Sequence, residues 1–402
     1  MSARLDALKR LASGEVEAHR AELSELALRL HANPELGFEE FRATAWLTEM
    51  LERNGFIVER GICELPTAFR ATYARRAAGK PVVAFLAEYD ALPGLGHACG
   101  HNLIAASAVG AGLAARRLVD RSGGTALVVG TPAEEVYGGK VYLVERGAFQ
   151  GVDAAMLTHP GARNRVHARA LACIGLQVEY FGKSAHAAAR PQAGVNALEA
   201  LLLAYGAINS LRQHIDDGSR IHGIITHGGD APNVVPAYAA ASFMVRTVRD
   251  DHLDALMERV LACFHAAAEA SGARLQYKWD EARYRAMRSN VALADLFGAN
   301  LRVLGREVDG PRRGVSLGST DMGNVSAVTA AIHPSIAIAP EGVGGHSPEF
   351  AVAAASDDGL RGMVDAAKAM AITAADLLAQ PRVMARVRAE AEGSTAASEG
   401  RR

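Results

Sequence analysis

The sequence predicts an α/β fold: a largely parallel sheet covered by helices, with an inserted α+β domain of ferredoxin-like order. Two patterns lead to this prediction. Three near-continuous apolar runs of strand length alternate with helical segments, as expected for a sheet that is buried on both faces. Between residues 170 and 281 the order of predicted elements becomes β-α-β-β-α-β, the split ferredoxin-like arrangement. The chain of 402 residues is therefore divided into a first part of the main domain at 1–169, the insertion at 170–281 and a second part at 282–402.

The elements of the main domain follow from apolar spacing and from turn residues. Apolar residues between Leu23 and Leu30 recur at helical spacing after Ser13, a candidate N-cap. A helix at 39–54 should end at Gly55, because glycine suits a left-handed C-terminal position. Further strands are predicted at 82–87, 125–130, 154–158 and 335–339, and further helices at 103–118, 139–146, 291–304 and 351–378.

The insertion and the end of the chain have patterns of their own. Within the insertion, strands are predicted at 171–181, 220–226, 238–247 and 274–279, and helices at 195–213 and 253–270. The closing residues GSTAASEGRR are small, polar or charged. We expect them to form a frayed tail, because they offer little apolar surface to bury.

Composition argues against several classes of function. Half of the residues are hydrophobic and the formal net charge is −1, with no long basic run, which argues against nucleic acid as a partner. The four cysteines are scattered and form no disulfide framework, which favours a reducing compartment. The chain starts with a charged, amphipathic segment and contains no run of about 18 apolar residues. We therefore expect a cytoplasmic protein without a membrane partner.

Side chains that could bind a metal follow each of the three early strands. Asp90 and the loop GLGHACGHN follow the first strand, GTPAEE with Glu134 and Glu135 follows the second, and His159 follows the third. The carboxyl ends of such strands are where open α/β sheets form their sites. Thiolate, imidazole and carboxylate are ligands of zinc and neighbouring transition metals. The coincidence predicts a metal site, although each motif alone could be structural: a buried cysteine between ordinary histidines, or a solvated acidic pair.

The two adjacent glutamates could have different chemical roles. Hydrolysis at a metal centre needs carboxylate ligands and a free carboxylate that takes a proton from water. Neighbouring residues of an extended or strained loop point in different directions, so Glu134 and Glu135 could divide these roles. The residues alone do not say which glutamate takes which role.

A series of motifs in fixed order points to a known family. The motifs span almost the whole chain: EYDALPGLGHACGHN, GTPAEE, THP, GKSAHAA, PNVVP, GSTDMGNVS and GGHSPEF. The series resembles peptidase family M-20, and within it the branch of aminobenzoyl-glutamate hydrolases and aminoacylase-one-like dipeptidases. That family has a catalytic α/β domain with a two-metal centre and an inserted lid domain, often used for dimerisation. The resemblance thus implies a catalytic domain, a lid and a homodimer formed through that lid.

The resemblance implies a role for each matching residue of the catalytic domain. Glu134 matches the general acid/base, whereas His97 falls outside the ligand set. Asp90 would lie outside the ligand set and fix the orientation of the ligands, or else it would be a turn aspartate. The metal ligands would be Cys99, His101, Glu135, His159 and His346.

Residues of the lid and of one later loop match substrate-binding positions. His186 matches a histidine that stabilises the developing oxyanion, often in the partner subunit's active site. Asn233 and Arg246 match positions that hold the substrate, with Arg246 either clamping a carboxylate or lying on the surface. Asp321 belongs to the pocket-lining element GSTDMGN.

The expected activity is hydrolysis of an amide or peptide bond in a small N-acyl amino acid or dipeptide-like substrate, by water that two divalent metal ions activate. We expect zinc or manganese, although the mixed ligand set also admits cobalt or nickel. Asn102 stands where many relatives have aspartate, which favours the dipeptidase-like branch. A mononuclear zinc deaminase would need His-x-Glu and Pro-Cys-x-x-Cys elements, which the sequence lacks. A catalytically inactive metal-binding or scaffolding protein of the same fold is the remaining alternative.

Overall fold

The computed structural model describes residues 3–75, 79–310 and 318–399, which divide into two units. The chain enters the second unit at Ala170, leaves it after Ala286 and returns to it for a short segment that ends at Thr320. All other described residues belong to the first unit. The predicted α/β class, with a largely parallel sheet and helices, is confirmed.

The structure assigns twelve strands and twelve helices in the described residues. The strands are β1 Ile57–Arg60, β2 Phe69–Arg75, β3 Val82–Ala87, β4 Gly124–Gly130, β5 Ala154–Met156, β6 His159–Gly161, β7 Ala172–Phe181, β8 Arg220–His227, β9 Tyr238–Thr247, β10 Arg274–Trp279, β11 Ala330–Ile332 and β12 Ser335–Ala337. The helices are α1 Ala3–Ala18, α2 Arg20–His31, α3 Phe41–Arg53, α4 His101–Ser122, α5 Gly139–Glu145, α6 Ala197–Leu211, α7 Asp250–Ser271, α8 Val291–Val303, α9 Met322–Ser326, α10 Pro348–Ala353, α11 Asp357–Ala379 and α12 Pro381–Glu399.

The first unit is built on a six-stranded sheet in the order β1-β2-β4-β3-β5-β11. The pairs β4/β3, β3/β5 and β5/β11 are parallel, whereas β1 and β2 add an antiparallel edge. The short strands β6 and β12 form a separate parallel pair. The four parallel strands therefore end at the same edge of the sheet, which is where side chains from distant parts of the sequence can meet.

Helix α4 packs between this sheet and other helices, and its composition explains how. It is rich in alanine and glycine and is buried over most of its length. Gly112 approaches Val128 of β4, and Gly110 approaches Leu23 of α2 and Ala367 of α11, so that small residues let the elements come close on both faces. Among the described residues, neither α4 nor any other helix has the length and apolar character needed to cross a bilayer.

The second unit is an antiparallel four-stranded sheet in the order β10-β7-β9-β8. Helices α6 and α7 pack against it, and their apolar residues share a core with the inward side chains of the strands. Asn196 caps α6, because its side chain accepts from the backbone N–H groups of Leu198 and Glu199. Strand and helix order is the ferredoxin-like β-α-β-β-α-β predicted from the sequence.

Several local predictions need correction. Ser13 lies inside α1 and caps nothing, because the helix starts ten residues earlier. The predicted helix at 351–378 is two helices, since the chain turns after Ala353 and Ser356 caps α11 through the N–H of Gly359. Through Glu399 the expected frayed tail continues α12; the last three residues lie outside the described part.

Three further elements show where sequence patterns succeed and where they fail. Gly55 has φ +84°, as predicted for the residue that ends α3. Strand β1 was not predicted, because its residues are largely exposed and lack the apolar alternation on which the prediction depends. The predicted strand at 154–158 ends at Met156, and a second short strand begins at His159.

We predict opposite effects for two glycine-to-alanine substitutions in helix interiors. In α4, a Cβ at Gly112 would lie 2.3 Å from a methyl group of Val128, so Gly112→Ala should destabilise the first unit by about 1–3 kcal/mol despite the better helix propensity of alanine. In α6, a Cβ at Gly206 meets nothing within 4 Å, so Gly206→Ala should be neutral or stabilising by up to about 1 kcal/mol. Thermal unfolding of both variants tests this; equal shifts would contradict it.

Candidate metal centre

The four parallel strands deliver acidic and imidazole side chains to one edge of the sheet. Glu88 directly follows β3, the Glu134–Glu135 pair follows β4, His159 follows β5 and His333 follows β11. Strand β3 lies between β4 and β5, and β11 lies beyond β5, so these strand ends are neighbours. The loop before α4 supplies Cys99, the first residue of α4 is His101, and the loop before α10 supplies His346.

The five side chains predicted as metal ligands lie close together. The Cys99 sulfur is 3.3 Å from Nε2 of His159. One oxygen of Glu135 lies 3.7 Å from Nε2 of His101, and the other lies 3.3 Å from Nε2 of His346. The ligand atoms form two overlapping groups, each within 4.8 Å: Cys99, His101 and His159, and Cys99, Glu135 and His346. This is the spacing that one or two cations would bridge.

The hydrogen bonding of the candidate ligands suits the binding of a cation. His101 bonds through Nδ1 to Asp90 at 3.0 Å, so its Nε2 is left for another partner. Within the described part of the chain, neither His101 Nε2 nor Glu135 Oε1 has a hydrogen-bond partner, although both atoms are buried. Buried polar atoms are normally satisfied. A cation between them would satisfy both, and the mixture of thiolate, imidazole and carboxylate suits a transition metal.

Asp90 connects two of the proposed ligands. One of its oxygens faces His101 Nδ1, and the other accepts a hydrogen bond from the backbone N–H of Glu135 at 2.9 Å. The residue is almost fully buried, so it faces the protein rather than solvent. A carboxylate behind a ligating histidine fixes the ring orientation and its tautomer. Asp90 therefore orients an imidazole and a carboxylate together.

The electrostatics of the ligands also call for added positive charge. Burial raises the pKa of the Cys99 thiol. Burial alone would lower the pKa of His101, but the carboxylate of Asp90 and the nearby Cys99 hold it well above the ordinary value. A thiolate is the ligating form, and a bound cation provides the charge that stabilises it.

Behind the ligands lies a buried cluster of charges around Lys140. Its ammonium group is 2.5 Å from Glu88 and 2.7 Å from Asp321, and its backbone N–H donates to Asp321 at 2.9 Å. Oxygens of Glu88, Glu134 and Asp321 lie within 4.8 Å of one another. Burial, followed by the charges of Glu88 and Asp321, raises the pKa of Glu134 well above its usual range. Glu134 is thus a carboxyl group that holds a proton readily.

The structure changes the expected place of Asp321. The sequence placed it in a substrate pocket, but its carboxylate is fully buried and bonded to Lys140. Burial raises the pKa of Asp321 to about 6, although Lys140 opposes this effect. Its polar atoms are engaged within the protein, so direct contact with substrate is not the role that this geometry supports.

Three residues near the ligands were missed by the sequence patterns. Glu88 and His333 each follow a parallel strand directly, so the rule that identified His159 could have found them. The His333 ring lies 5.4 Å from that of His159, centroid to centroid, and burial lowers the pKa of His333 to about 3. Lys140 gave no local signal, because only the folded chain puts it between two carboxylates.

The second unit contains His186, predicted to be catalytic, and Asn233 and Arg246, predicted to bind substrate. His186 is exposed, and its Nδ1 accepts from the N–H groups of Ala188 and Ala189. Asn233 is exposed on the loop between β8 and β9. Arg246, on β9, donates to the Ser319 hydroxyl at 3.1 Å, while within the described residues its buried Nε has no hydrogen-bond partner. An arginine with an unused donor is suited to an anionic group.

Comparison with known proteins agrees with this geometry. Residues 173–271 match the family model described as peptidase dimerisation domain. The chain is 38% identical to the Xaa-Arg dipeptidase of Mus musculus over 403 residues, which covers 97% of this chain and 93% of the relative. It is 35% identical over 288 residues to a p-aminobenzoyl-glutamate hydrolase subunit of Escherichia coli (strain K12), covering 66% of this chain and 59% of the relative.

A solved structure supports the fold assignment. The YXEP protein of Bacillus subtilis, described as a dinuclear metal-binding peptidase of the M-20 family, superposes with a TM-score of 0.70. The match covers 90% of this chain and 99% of that protein, at 21% sequence identity. Similarity to the dipeptidase extends over nearly the full length of both chains, and the metal-ligand types lie together at the sheet edge. The chain therefore belongs to peptidase family M-20 and is a metal-dependent hydrolase of amide bonds.

Proposed function

We propose that this chain binds two divalent metal ions, zinc or manganese, and releases an amino acid from a dipeptide or an N-acyl amino acid. The observation that carries the proposal is the convergence of five candidate ligand side chains, among which the buried His101 Nε2 and Glu135 Oε1 lie 3.7 Å apart. The metal ligands would be Cys99, His101, Glu135, His159 and His346. When bound, the ions would polarise the substrate carbonyl and lower the pKa of water.

In this proposal Glu134 moves the proton. It takes a proton from the attacking water and delivers it to the leaving amine nitrogen, as general base and then general acid. The buried carboxylates of Glu88 and Asp321 favour its protonated form, which suits the second step. Lys140 limits this effect because its ammonium group neutralises both neighbours directly. Asp90 keeps His101 and Glu135 oriented throughout.

We further propose that the second unit, the predicted inserted lid, supplies the groups that recognise the substrate. Arg246 would bind the carboxylate of the released amino acid, because its buried Nε has an unused donor among the described residues and guanidinium matches carboxylate bidentately. Asn233 would hold the amide backbone, and His186 would stabilise the developing oxyanion. The Xaa-Arg dipeptidase and p-aminobenzoyl-glutamate hydrolase relatives are both named for substrates with an amino-acid residue, which supports this class.

The second unit would also form a homodimer. Strand β8 is the outer strand of its sheet, and Ile224 and Ile225 on it are exposed. On α6, Leu202 and Leu203 are exposed as well. Outer strands and exposed apolar residues favour association with a second copy. The match of residues 173–271 to a peptidase dimerisation domain supports this proposal.

The central experiment is hydrolysis of a panel by metal-stripped protein, before and after adding zinc, manganese or cobalt. The panel contains N-acyl amino acids, dipeptides with basic and other residues, and aminobenzoyl-glutamate. We expect metal-dependent release of a free amino acid from at least one class. If metal is bound and no substrate of the panel is hydrolysed, the result would favour the alternative, an inactive metal-binding protein of the same fold.

Removing the proposed base should separate chemistry from metal binding. Glu134→Gln should lower kcat at least about 10³-fold, since it removes a proton carrier, while two metal ions per chain stay bound. Steady-state kinetics and metal analysis of the same sample test this. Retained turnover would mean that another group carries the proton.

The two cysteine variants test the ligand set. Cys99→Ala should reduce metal content, because it removes the thiolate shared by both groups of ligand atoms. Cys263→Ala is the matched control, since Cys263 lies on α7 of the second unit and donates to the carbonyl of Arg259. Metal stoichiometry of both variants decides; an unchanged value for Cys99→Ala would remove it from the centre.

His186 tests the role of the second unit. His186→Ala should lower kcat by about 10²-fold with little change in metal content, as expected for the loss of one oxyanion donor. Exposed His265 on α7 offers a control, because His265→Ala removes an imidazole from the same unit without touching the loop at 183–195. Full activity of His186→Ala would make His186 a structural residue.

A further inference from the structure

The loop that carries Glu134 and Glu135 is held in a strained conformation. Ala133, which directly precedes Glu134, has φ +60°, in the left-handed region that residues with a Cβ rarely adopt. It is fully buried, and a Cβ built on Gly37 would come within 2.9 Å of the Ala133 Cβ, so the loop is closely packed. Such a conformation persists only where the surrounding structure imposes it.

The carboxylate of Glu40 supplies one such constraint. One oxygen accepts a hydrogen bond from the backbone N–H of Ala133 at 2.8 Å, and the other accepts from the Thr67 hydroxyl, also at 2.8 Å. The carbonyl of Thr67 is in turn fixed by the hydroxyl groups of Tyr89 and Thr44, at 2.6 and 2.7 Å. Glu40 and Thr67 are fully buried. One oxygen of the Glu40 carboxylate is therefore held by Thr67, and the other holds the strained turn by its hydrogen bond to the Ala133 N–H.

A second carboxylate is hydrogen-bonded to the loop on the other side of Glu134. Asp90 accepts from the N–H of Glu135 at 2.9 Å. The backbone is thus bonded to a buried carboxylate immediately before Glu134 and immediately after it. Asp90 also bonds to His101, so its effect cannot be separated from metal binding. The hydrogen bonds that join the Glu40 carboxylate to other described residues go to the Ala133 N–H and the Thr67 hydroxyl, neither of which belongs to a proposed metal ligand, so Glu40 offers a cleaner test.

We propose that Glu40 is a positioning residue, whose buried carboxylate holds the left-handed turn at Ala133 and thereby fixes Glu134 for proton transfer. This inference rests on the proposed role of Glu134. A carboxylate is a costly choice for a fully buried position, because burial and the nearby Asp90 raise the pKa of Glu40 to about 7. An apolar side chain would fill the same space but would leave the Ala133 N–H without its acceptor.

The test compares three variants of the full-length, metal-loaded protein on a substrate that the wild type cleaves. Glu40→Ala removes the acceptor, and we expect kcat to fall about 10–100-fold through displacement of Glu134, with KM and metal stoichiometry near wild type. Glu40→Gln keeps an oxygen for the Ala133 N–H, and we expect kcat within about threefold of wild type. Hydrogen exchange at the Ala133 amide should be faster in Glu40→Ala and near normal in Glu40→Gln.

Glu35→Ala, the third variant, is the matched control for stability. Its carboxylate accepts from the N–H groups of Arg42 and Ala43 at the start of α3, the helix that Glu40 directly precedes. We expect Glu35→Ala to lower the melting temperature without changing kcat, because the Glu35 carboxylate does not bond to the loop at Ala133. An equal loss of kcat in Glu35→Ala and Glu40→Ala would reduce Glu40 to a stabiliser of α3 and overturn the inference.

A double-mutant cycle addresses the strain itself. Glycine adopts positive φ without the penalty that alanine carries, so the turn in an Ala133→Gly variant depends less on the Glu40 bond. We expect the fall in kcat caused by Glu40→Ala to be about threefold or more smaller in the Ala133→Gly background than in the wild type. Multiplicative losses, wild-type kcat in Glu40→Ala, or a Glu40→Gln variant as impaired as Glu40→Ala would each overturn the inference. Failure of the proposed function is distinguishable, because then the wild type itself cleaves nothing in the panel.

Discussion

The arrangement of the first unit depends on neutralising acidic groups that the fold collects at one edge of its sheet. Removing a carboxylate from water costs several kcal/mol or more unless a partner compensates it. Lys140 is a buried cation that meets Glu88 and Asp321 directly, and His101 lies beside Glu88 as well as two further carboxylates. Metal ions would supply the rest of the positive charge. The acidic residues are Glu88, Asp90, Glu134, Glu135 and Asp321.

The proposed ligands come from widely separated parts of the chain, which links the site to folding. Cys99 and His101 stand at the start of α4, Glu135 and His159 follow two strands, and His346 lies close to α10. The N–H of His346 donates to the carbonyl of Ala98 at 2.9 Å, so the last ligand is tied to the first loop. No short segment holds the whole set, so the site exists only when the first unit is folded. Bound metal would therefore stabilise that unit.

Two of the non-glycine residues with positive φ in the described chain belong to or adjoin the candidate metal centre. Ala133 and His346 both have positive φ, and each adjoins or supplies a group of the candidate centre. Strain of this kind persists where packing and hydrogen bonds over-determine it, and it fixes side chains more tightly than a relaxed loop would. The carboxylates of Glu40 and Asp90 provide such hydrogen bonds on either side of Glu134. The hydrogen-bonded backbone around Glu134, the proposed general base, thus lies in the same region as the buried charges.

The sequence by itself determined the fold class and most of the elements, because apolar periodicity and glycine positions report locally on helices and strands. It also predicted the candidate ligands that the fold brings together, since each lies in a motif that can be read along the chain. Only the tertiary structure decided which acidic groups pair with the same buried cation. Lys140 and Asp321 are 181 residues apart, and their pairing leaves no local pattern. The left-handed turn at Ala133 was equally hidden, because alanine favours the opposite sign of φ and the turn is held by contacts with distant residues such as Glu40.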